Sequence, residues 1–260
     1  MVLSSLSKTY PDWLHLLEHC LSTNTWAIEH AAQLQHGDVV FTRQQIAGRG
    51  QQGRTWYAPA GVLTASFVLD CLPLAGLPGL SLAAGIAVIH AVEELLPELQ
   101  NLLQIKWPND VLIERRKLAG ILCETSSRNS MIQTRVVIGV GLNRAVDFAQ
   151  AGLDKATFGN PISLHEVAQP PDELLLLERV RHHLLQVSEI FIHQTHETKA
   201  GLTQFLAELR QRDALLNREI TLQHNQTSLS GHAAGIDLEG RLILQLADRR
   251  VQVTSGHVLW

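Results

Sequence analysis

Gln44-Gln45-Ile46-Ala47-Gly48-Arg49-Gly50-Gln51-Gln52-Gly53-Arg54-Thr55-Trp56 is the stretch on which the fold turns. Gly48, Gly50 and Gly53 satisfy the dinucleotide pattern G-x-G-x-x-G, and the same window satisfies the phosphate-loop pattern except that Arg54 stands where lysine belongs. Both patterns need a strand before the loop and a helix directly after it, because the helix N-terminus binds the phosphates. Asp38 to Arg43 supplies the strand, but Trp56-Tyr57-Ala58-Pro59-Ala60-Gly61 cannot start a helix, and Val62 to Asp70 reads as another strand. A Rossmann or Walker assignment therefore fails. What is left is a long polar loop, Gln44 to Gly61, that carries three glycines free to bring N–H groups to an anion. Arg43, Arg49 and Arg54 lie between Asp38 and Asp70 with no acid among them. Arginine forks onto phosphate or carboxylate oxygens, so the loop reads either as an anion site or as a solvated surface loop whose glycines only make turns.

Working outward, Pro11 to His19 predicts a short helix, and the cap residues Ser22-Thr23-Asn24 precede a second one over Thr25 to Leu34, ended by Gly37. Ser81 to Leu95 predicts an apolar helix. Leu103 to Lys106, Asp110 to Glu114, Lys117 to Thr125 and Thr134 to Gly141 predict strands of one central sheet arranged as a meander. Arg144 to Pro161 is irregular, and Pro171 to Gln194 and Lys199 to Arg212 predict amphipathic helices. After Asp213 come four short strand segments, Glu219 to His224, Leu229 to Asp237, Arg241 to Leu246 and Val251 to Val258, with turn signals at Asn225, Glu239-Gly240 and Asp248. They fit a small barrel that needs the main domain to pack against.

Bulk properties narrow the class. The 260 residues are 45% hydrophobic and 18% charged, an ordinary globular balance, and the net charge of −4 gives no reason to expect general nucleic-acid binding. Cys20, Cys71 and Cys123 are an odd, unpaired set that suits reduced thiols in a cytoplasmic protein. The N-terminus carries no signal-peptide pattern. Leu77 to Leu96, the most apolar run, is interrupted by Pro78, His90 and Glu93-Glu94, so no membrane span is expected.

Two further segments carry chemistry. Lys106-Trp107-Pro108-Asn109-Asp110 makes a rigid corner between strands. It can set a lysine on phosphate charge and a carboxylate on magnesium, or be a turn with a salt bridge. Lys117-Leu118-Ala119-Gly120-Ile121-Leu122 opens with a lysine that alone could be an edge charge. Gly120 inside an apolar strand calls for a close backbone or ligand, and Gly139-Val140-Gly141-Leu142-Asn143 repeats that signal.

Taken in order, Ser22-Thr23-Asn24, Gln45 with Ala47 to Gly50, Gly53-Arg54, Trp56, Lys106 to Asp110, Lys117 to Leu122, Gly139 to Asn143 and the tail around Gly235-Ile236-Asp237 and Gly240 resemble the biotin protein ligase family over nearly the whole chain. The match is to the short type without a DNA-binding domain. The resemblance implies an α+β fold: a mixed β-sheet catalytic domain with flanking helices, of the class II synthetase-like biotin/lipoate ligase kind, over residues 1–213. It also implies a small C-terminal SH3-like β-barrel over residues 214–260.

The implied reaction activates biotin with ATP as biotinyl-5'-AMP and passes it to a lysine of the biotin carboxyl carrier protein of acetyl-CoA carboxylase, with Mg2+ present. The resemblance also implies the roles. Arg49, Lys106, Asp110 and Lys117 are the catalytic set. Ser22, Thr23, Asn24, Gln45, Arg49, Gly50, Gln51, Lys117, Gly120 and Ile121 hold biotin. Gly48, Arg49, Arg54, Trp56, Lys106, Asn109, Gly141 and Asn143 hold ATP and the adenylate, with Trp56 on adenine. Asp110 holds magnesium and is the candidate acid near the attacking amine. No nucleic-acid or membrane partner is expected, and a homodimer through a sheet edge is left open. Two departures stand out: Leu21 replaces the family's usual aspartate, and the loop, commonly Gly-Arg-Gly-Arg-Arg-Gly-Arg, has glutamines at Gln51 and Gln52. A lipoate or octanoate ligase on the same fold and a non-catalytic biotin-binding module are the competing readings.

Overall fold

The structure is a computed structural model describing residues 10–74, 77–126, 133–154, 159–193, 201–224 and 227–260. The expected turn at Asn225, part of the irregular stretch before Pro161, and the junction between the two expected helices (Gln194 and Lys199) fall outside these residues.

A seven-stranded sheet forms the centre. Its strands are β1 (Leu14–Leu17), β2 (Val39–Thr42), β5 (Val62–Pro73), β6 (Leu103–Lys106), β7 (Asp110–Ile113), β8 (Arg116–Ser126) and β9 (Gln133–Asn143). Their spatial order is β1-β2-β5-β9-β8-β7-β6. β1 and β2 run parallel and the other ladders are antiparallel, so the sheet is mixed. The expected meander holds for β6 to β9. β5 reaches its place beside β9 because α2 (Leu80–Leu95) carries the chain across the sheet to β6.

One expected helix is a strand. Pro11 to His19 yields β1, because the backbone of Leu14 to Leu17 pairs with Val39 to Thr42, and that edge pairing overrides the weak helical spacing of the leucines. The second helix is shorter than expected: α1 covers Thr23–Glu29, and a single tight turn, Ala31–Gln33, follows.

Strand alternation divides the sheet's two faces. Leu63, Phe67 and Leu69 of β5 join Val39 and Phe41 in the main core under α2 and α3 (Glu173–Ile192). Val40, Val68 and Val137 form a smaller cluster on the opposite face with Ala27 of α1. α2 is buried nearly all round, as expected of a helix without a polar stripe.

The chain then passes through α4 (Leu206–Arg212) into β10 (Glu219–His224), β11 (Thr227–Ile236), β12 (Leu242–Gln245), β13 (Arg250–Val253) and β14 (His257–Leu259). These form an antiparallel five-stranded sheet, ordered β13-β12-β11-β10-β14. The expected small barrel thus appears as a sheet with β13 and β14 at its edges. It packs on the main body, as its size requires: Trp107 Nε1 donates to Gly240 O at 2.9 Å, and Ala214 N donates to Ile105 O at 2.9 Å.

Candidate active site

The face of the sheet that carries α1 is bare at its centre, and register explains why. Thr64 of β5 pairs with Gly141 of β9, Gly141 with Gly120 of β8, and Gly120 with Asp110 of β7. One residue row across four strands therefore has two adjacent glycines in its middle. The row beside it runs Ser66, Gly139, Leu122. A Cβ at Gly141 would overlap the Trp56 indole, and one at Gly139 would stand 2.6 Å from Asn24 Oδ1. These glycines are required by the close approach of other side chains, as their placement inside strands suggested.

A cleft opens over this floor, reached by residues of α1, the arginine loop and the central strands. One end is polar and tightly bonded. Thr23 N donates to Gln45 Oε1 at 2.9 Å, Ser66 Oγ donates to Asn24 Oδ1 at 2.5 Å and lies 2.7 Å from the Thr23 hydroxyl, and Asn24 Nδ2 donates to Leu122 O at 3.1 Å. Ser22 accepts from Thr25 N at 3.4 Å, so its hydroxyl caps α1 while it lines the cleft.

The other end is cationic. The arginine loop is less irregular than its composition suggests. Gly48–Arg49 (β3) and Thr55–Trp56 (β4) pair as a small hairpin closed by a turn over Gln51–Gly53. Gln52 and Gly53 take left-handed backbone conformations, with φ of 56° and 73°. The hairpin sets Arg49, Arg54 and Trp56 along the cleft. Arg49 Nη2 lies 2.7 Å from Glu124 Oε2, which also accepts from Asn24 Nδ2 at 2.9 Å. Lys117 Nζ lies 2.5 Å from Asp110 Oδ1 and 5.4 Å from the centre of the Trp56 ring. A bulge creates that placement. Between Val111 and Leu112 the partner register jumps from Ala119 to Lys117, so the extra residue turns Lys117 onto the same face as Gly120, whose Cβ would meet Lys117 Nζ at 3.3 Å.

Of the residues singled out in the sequence, Ser22, Thr23, Asn24, Gln45, Arg49, Gly50, Gln51, Arg54, Trp56, Asn109, Asp110, Lys117, Gly120, Ile121 and Gly141 line this one cleft. Gly48, Lys106 and Asn143 do not. Gly48 is part of the hairpin, paired with Trp56, and a Cβ there would meet Gln45 Nε2 at 2.5 Å. Asn143 gives its amide to Lys117 O at 3.2 Å and Ile162 O at 3.0 Å, which braces the strand that carries Lys117. Asn109 donates to Ile121 O at 2.7 Å and holds the corner to β8. Lys106 is on β6, its ammonium 5.6 Å from the Trp260 ring centre. Burial pushes Lys106 below the usual lysine range and the charges of Lys117 and Arg54 push the same way, against the opposing pull of Asp110.

Sequence reading missed Thr64, Ser66 and Glu124. The signal was present as parity: Thr64 and Ser66 alternate with apolar residues in β5, and Glu124 lies two and four residues beyond Leu122 and Gly120 on one strand face. Trp56 Nε1 and Thr64 Oγ1 are buried in the cleft without a hydrogen-bond partner among the described residues. Such groups ask for a ligand or water. The half-buried surroundings of Cys123, with Glu124's charge adding to them, push its thiol up to about 12.

As for magnesium, Asp110 is the one carboxylate lining the cleft among the described residues, and these contain no group of three His, Cys, Asp or Glu side chains able to hold a metal. That donor set fits an ion held mostly by substrate phosphates and water with a single protein carboxylate.

The cleft thus joins a polar pocket, across a bare glycine floor, to a cationic hairpin. Residues 18–143 match the Biotin/lipoate A/B protein ligase family and residues 215–259 the Biotin protein ligase C terminal domain. The chain is 33% identical to the biotin–[acetyl-CoA-carboxylase] ligase of Mycobacterium tuberculosis over 86% of its own length and 79% of that protein. It is 30% identical to the bifunctional ligase/repressor BirA of Salmonella typhimurium, over 86% of this chain and 67% of that one. The biotin protein ligase of Aquifex aeolicus, solved with biotin and ATP, shares the fold with a TM-score of 0.71 at 24% identity, covering 95% of this chain and 97% of the other. The chain belongs to the biotin protein ligase family. Among its described residues, no helix is long and apolar enough to cross a membrane.

Proposed function

We propose that this protein activates biotin with ATP and transfers the biotinyl group to a lysine of a biotin carboxyl carrier domain. The observation that carries the reading is the single cleft in which the Thr23-Asn24-Gln45 network and the Arg49, Arg54 and Lys117 cations meet over the Gly120-Gly141 floor. In the first step a biotin carboxylate oxygen attacks the α-phosphorus of ATP and pyrophosphate leaves. Both reactants are anions, so the barrier is chiefly one of positioning and charge stabilisation. Thr23, Asn24 and Gln45 would hold the head group at the polar end. Lys117 would exchange its 2.5 Å contact with Asp110 for the substrate carboxylate and α-phosphate. Arg49 and Arg54 would take the remaining phosphate charge, and Trp56 would offer its ring to adenine. Magnesium, held by Asp110, would supply further neutralisation of the phosphates.

In the second step the neutral lysine amine of the carrier attacks the acyl carbon, AMP leaves with the bonding electron pair, and the amine gives up a proton. Asp110, released from Lys117, would be the candidate to receive it. The family and the name of the M. tuberculosis relative support a carboxylase carrier as acceptor, and the odd set of free cysteines supports a cytoplasmic setting. Pyrophosphate release from labelled ATP is the test, run with biotin, lipoate and octanoate in turn. Release with biotin is expected. Release with lipoate alone, or with none of the three acids, overturns the reading.

A further inference from the structure

The last strand of the C-terminal sheet reaches the cationic end of the cleft. Arg54, on the hairpin, places Nη1 3.0 Å from His257 Nδ1, 203 residues away. Its remaining hydrogen bond is internal to the loop, from Nε to Gln51 O at 3.3 Å. Three residues on, the Trp260 ring lies 5.6 Å from Lys106 Nζ, 4.6 Å from the Arg115 guanidinium and 5.1 Å from that of Arg218. Lys106 and Arg54 are two of the cations singled out for phosphate, and neither is held by a carboxylate at 4 Å or less among the described residues. By contrast Arg49 and Lys117 have Glu124 and Asp110. The strand that presents His257 and Trp260 is itself fixed: β14 pairs with β10 through Thr221↔Leu259, Leu222↔Val258 and Gln223↔His257, and Val258 is buried.

We propose that His257 and Trp260 are positioning residues for the nucleotide, His257 aiming Arg54, which lines the cleft, and Trp260 aiming Lys106 of the adjoining strand β6, so that the C-terminal sheet braces the cationic end of the site. This rests on the ligase reading given above. The choice of residues follows from chemistry. A guanidinium only donates and stays charged, so the ring nitrogen facing Arg54 must accept, which requires a neutral His257 with its proton on Nε2. Burial, Arg54, Lys106 and Lys117 all hold the His257 imidazole below its ordinary value, with Asp110 alone opposing them, so the accepting form is the one present near neutrality. An acceptor without charge orients the guanidinium and leaves its positive charge for phosphate, which a carboxylate would cancel. The aromatic face does the same for Lys106: it attracts the ammonium without neutralising it.

The test is calorimetric binding of α,β-methylene ATP to the full chain in the presence of biotin, with biotin binding measured separately. H257L is expected to weaken nucleotide binding about tenfold and leave biotin binding unchanged. H257Q, which keeps an acceptor oxygen at similar reach, is expected to stay within about twofold of wild type. W260L should weaken nucleotide binding more than W260F, which keeps a ring. Thermal melting checks the fold; should H257L melt early, H257S takes its place. Unchanged nucleotide binding in H257L and W260L, or an equal loss for biotin and nucleotide, overturns the proposal while wild-type nucleotide binding keeps the ligase reading intact. Wild-type protein that binds no nucleotide overturns both.

Discussion

Gln51 lines the cleft at the turn of the arginine hairpin, with an uncharged amide where the family resemblance implies a cation. The other cations remain, so the first step keeps its means of charge stabilisation, and the effect falls on how long the adenylate is held. Losing one charge-assisted hydrogen bond is worth about 1–2 kcal/mol. Gln51→Arg is therefore expected to slow biotinyl-adenylate dissociation about tenfold, read by rapid-mixing release of labelled intermediate; an unchanged rate would count against the idea. At this scale the sequence was most legible where a residue type has few uses. Glycines inside strands marked the cleft floor, whereas of the three loop arginines only Arg49 and Arg54 line the cleft, and Arg43 turns away to Glu173. Gly48, Lys106 and Asn143 lie off the cleft lining, and a side chain's commitment to a neighbouring carbonyl, as at Asn143, leaves no mark in a motif.

At the scale of elements, the junction of α2, α4 and β6 is held by a buried ion pair. Arg212 Nη1 and Nη2 each lie 2.8 Å from a Glu93 oxygen, its Nε is 2.8 Å from Glu208 Oε1, and Nη1 also donates to Leu103 O at 3.1 Å. Removing one partner leaves an uncompensated buried charge. Arg212→Met is thus expected to cost about 3–5 kcal/mol in urea unfolding, far more than a like change at an exposed pair. Glu208 adds a pH dependence. Burial raises its carboxyl, but hydrogen bonds from His90 and Arg212 outweigh that and hold it below its ordinary 4.5. A depressed folded value gives stability that is present above the unfolded value and lost as pH falls through the folded one. E208Q should therefore be less stable than wild type at pH 7, with the gap narrowing as urea midpoints are followed below about pH 4.5. None of this network was legible: Glu93 and Arg212 are 119 residues apart, and only the fold brings them together. The strands, by contrast, were largely readable from alternation and turn residues, and β1 was missed because its partner, β2, lies beyond an intervening helix.

For the whole molecule, the contact between the C-terminal sheet and the main body is close enough to be tested by one carbon atom. Gly240 has φ +75°, and a Cβ there would come 2.6 Å from the Gly79 Cα that precedes α2. Its carbonyl takes the Trp107 hydrogen bond. Gly240→Ala should destabilise the protein by about 1–3 kcal/mol and shift a single unfolding transition rather than split it; a separate early transition would show that the two parts melt independently. The change of texture after Asp213 was visible in the sequence, and so was the need for support. The point of support was not, since Gly240 reads as an ordinary turn glycine.

The paired glycines of β8 and β9 have a genetic consequence. Every missense change at a glycine codon introduces a Cβ, so Gly141, already filled by the Trp56 indole, has no gentle neighbour in mutational space. In a saturation library selected for biotin transfer, Gly141 and Gly139 should be depleted of all replacements. Gly53 and Gly152, where an added Cβ would meet nothing within 4 Å but φ is positive, should still admit asparagine and aspartate. The floor of the cleft is a place where this lineage can drift only by first moving Trp56 or Asn24.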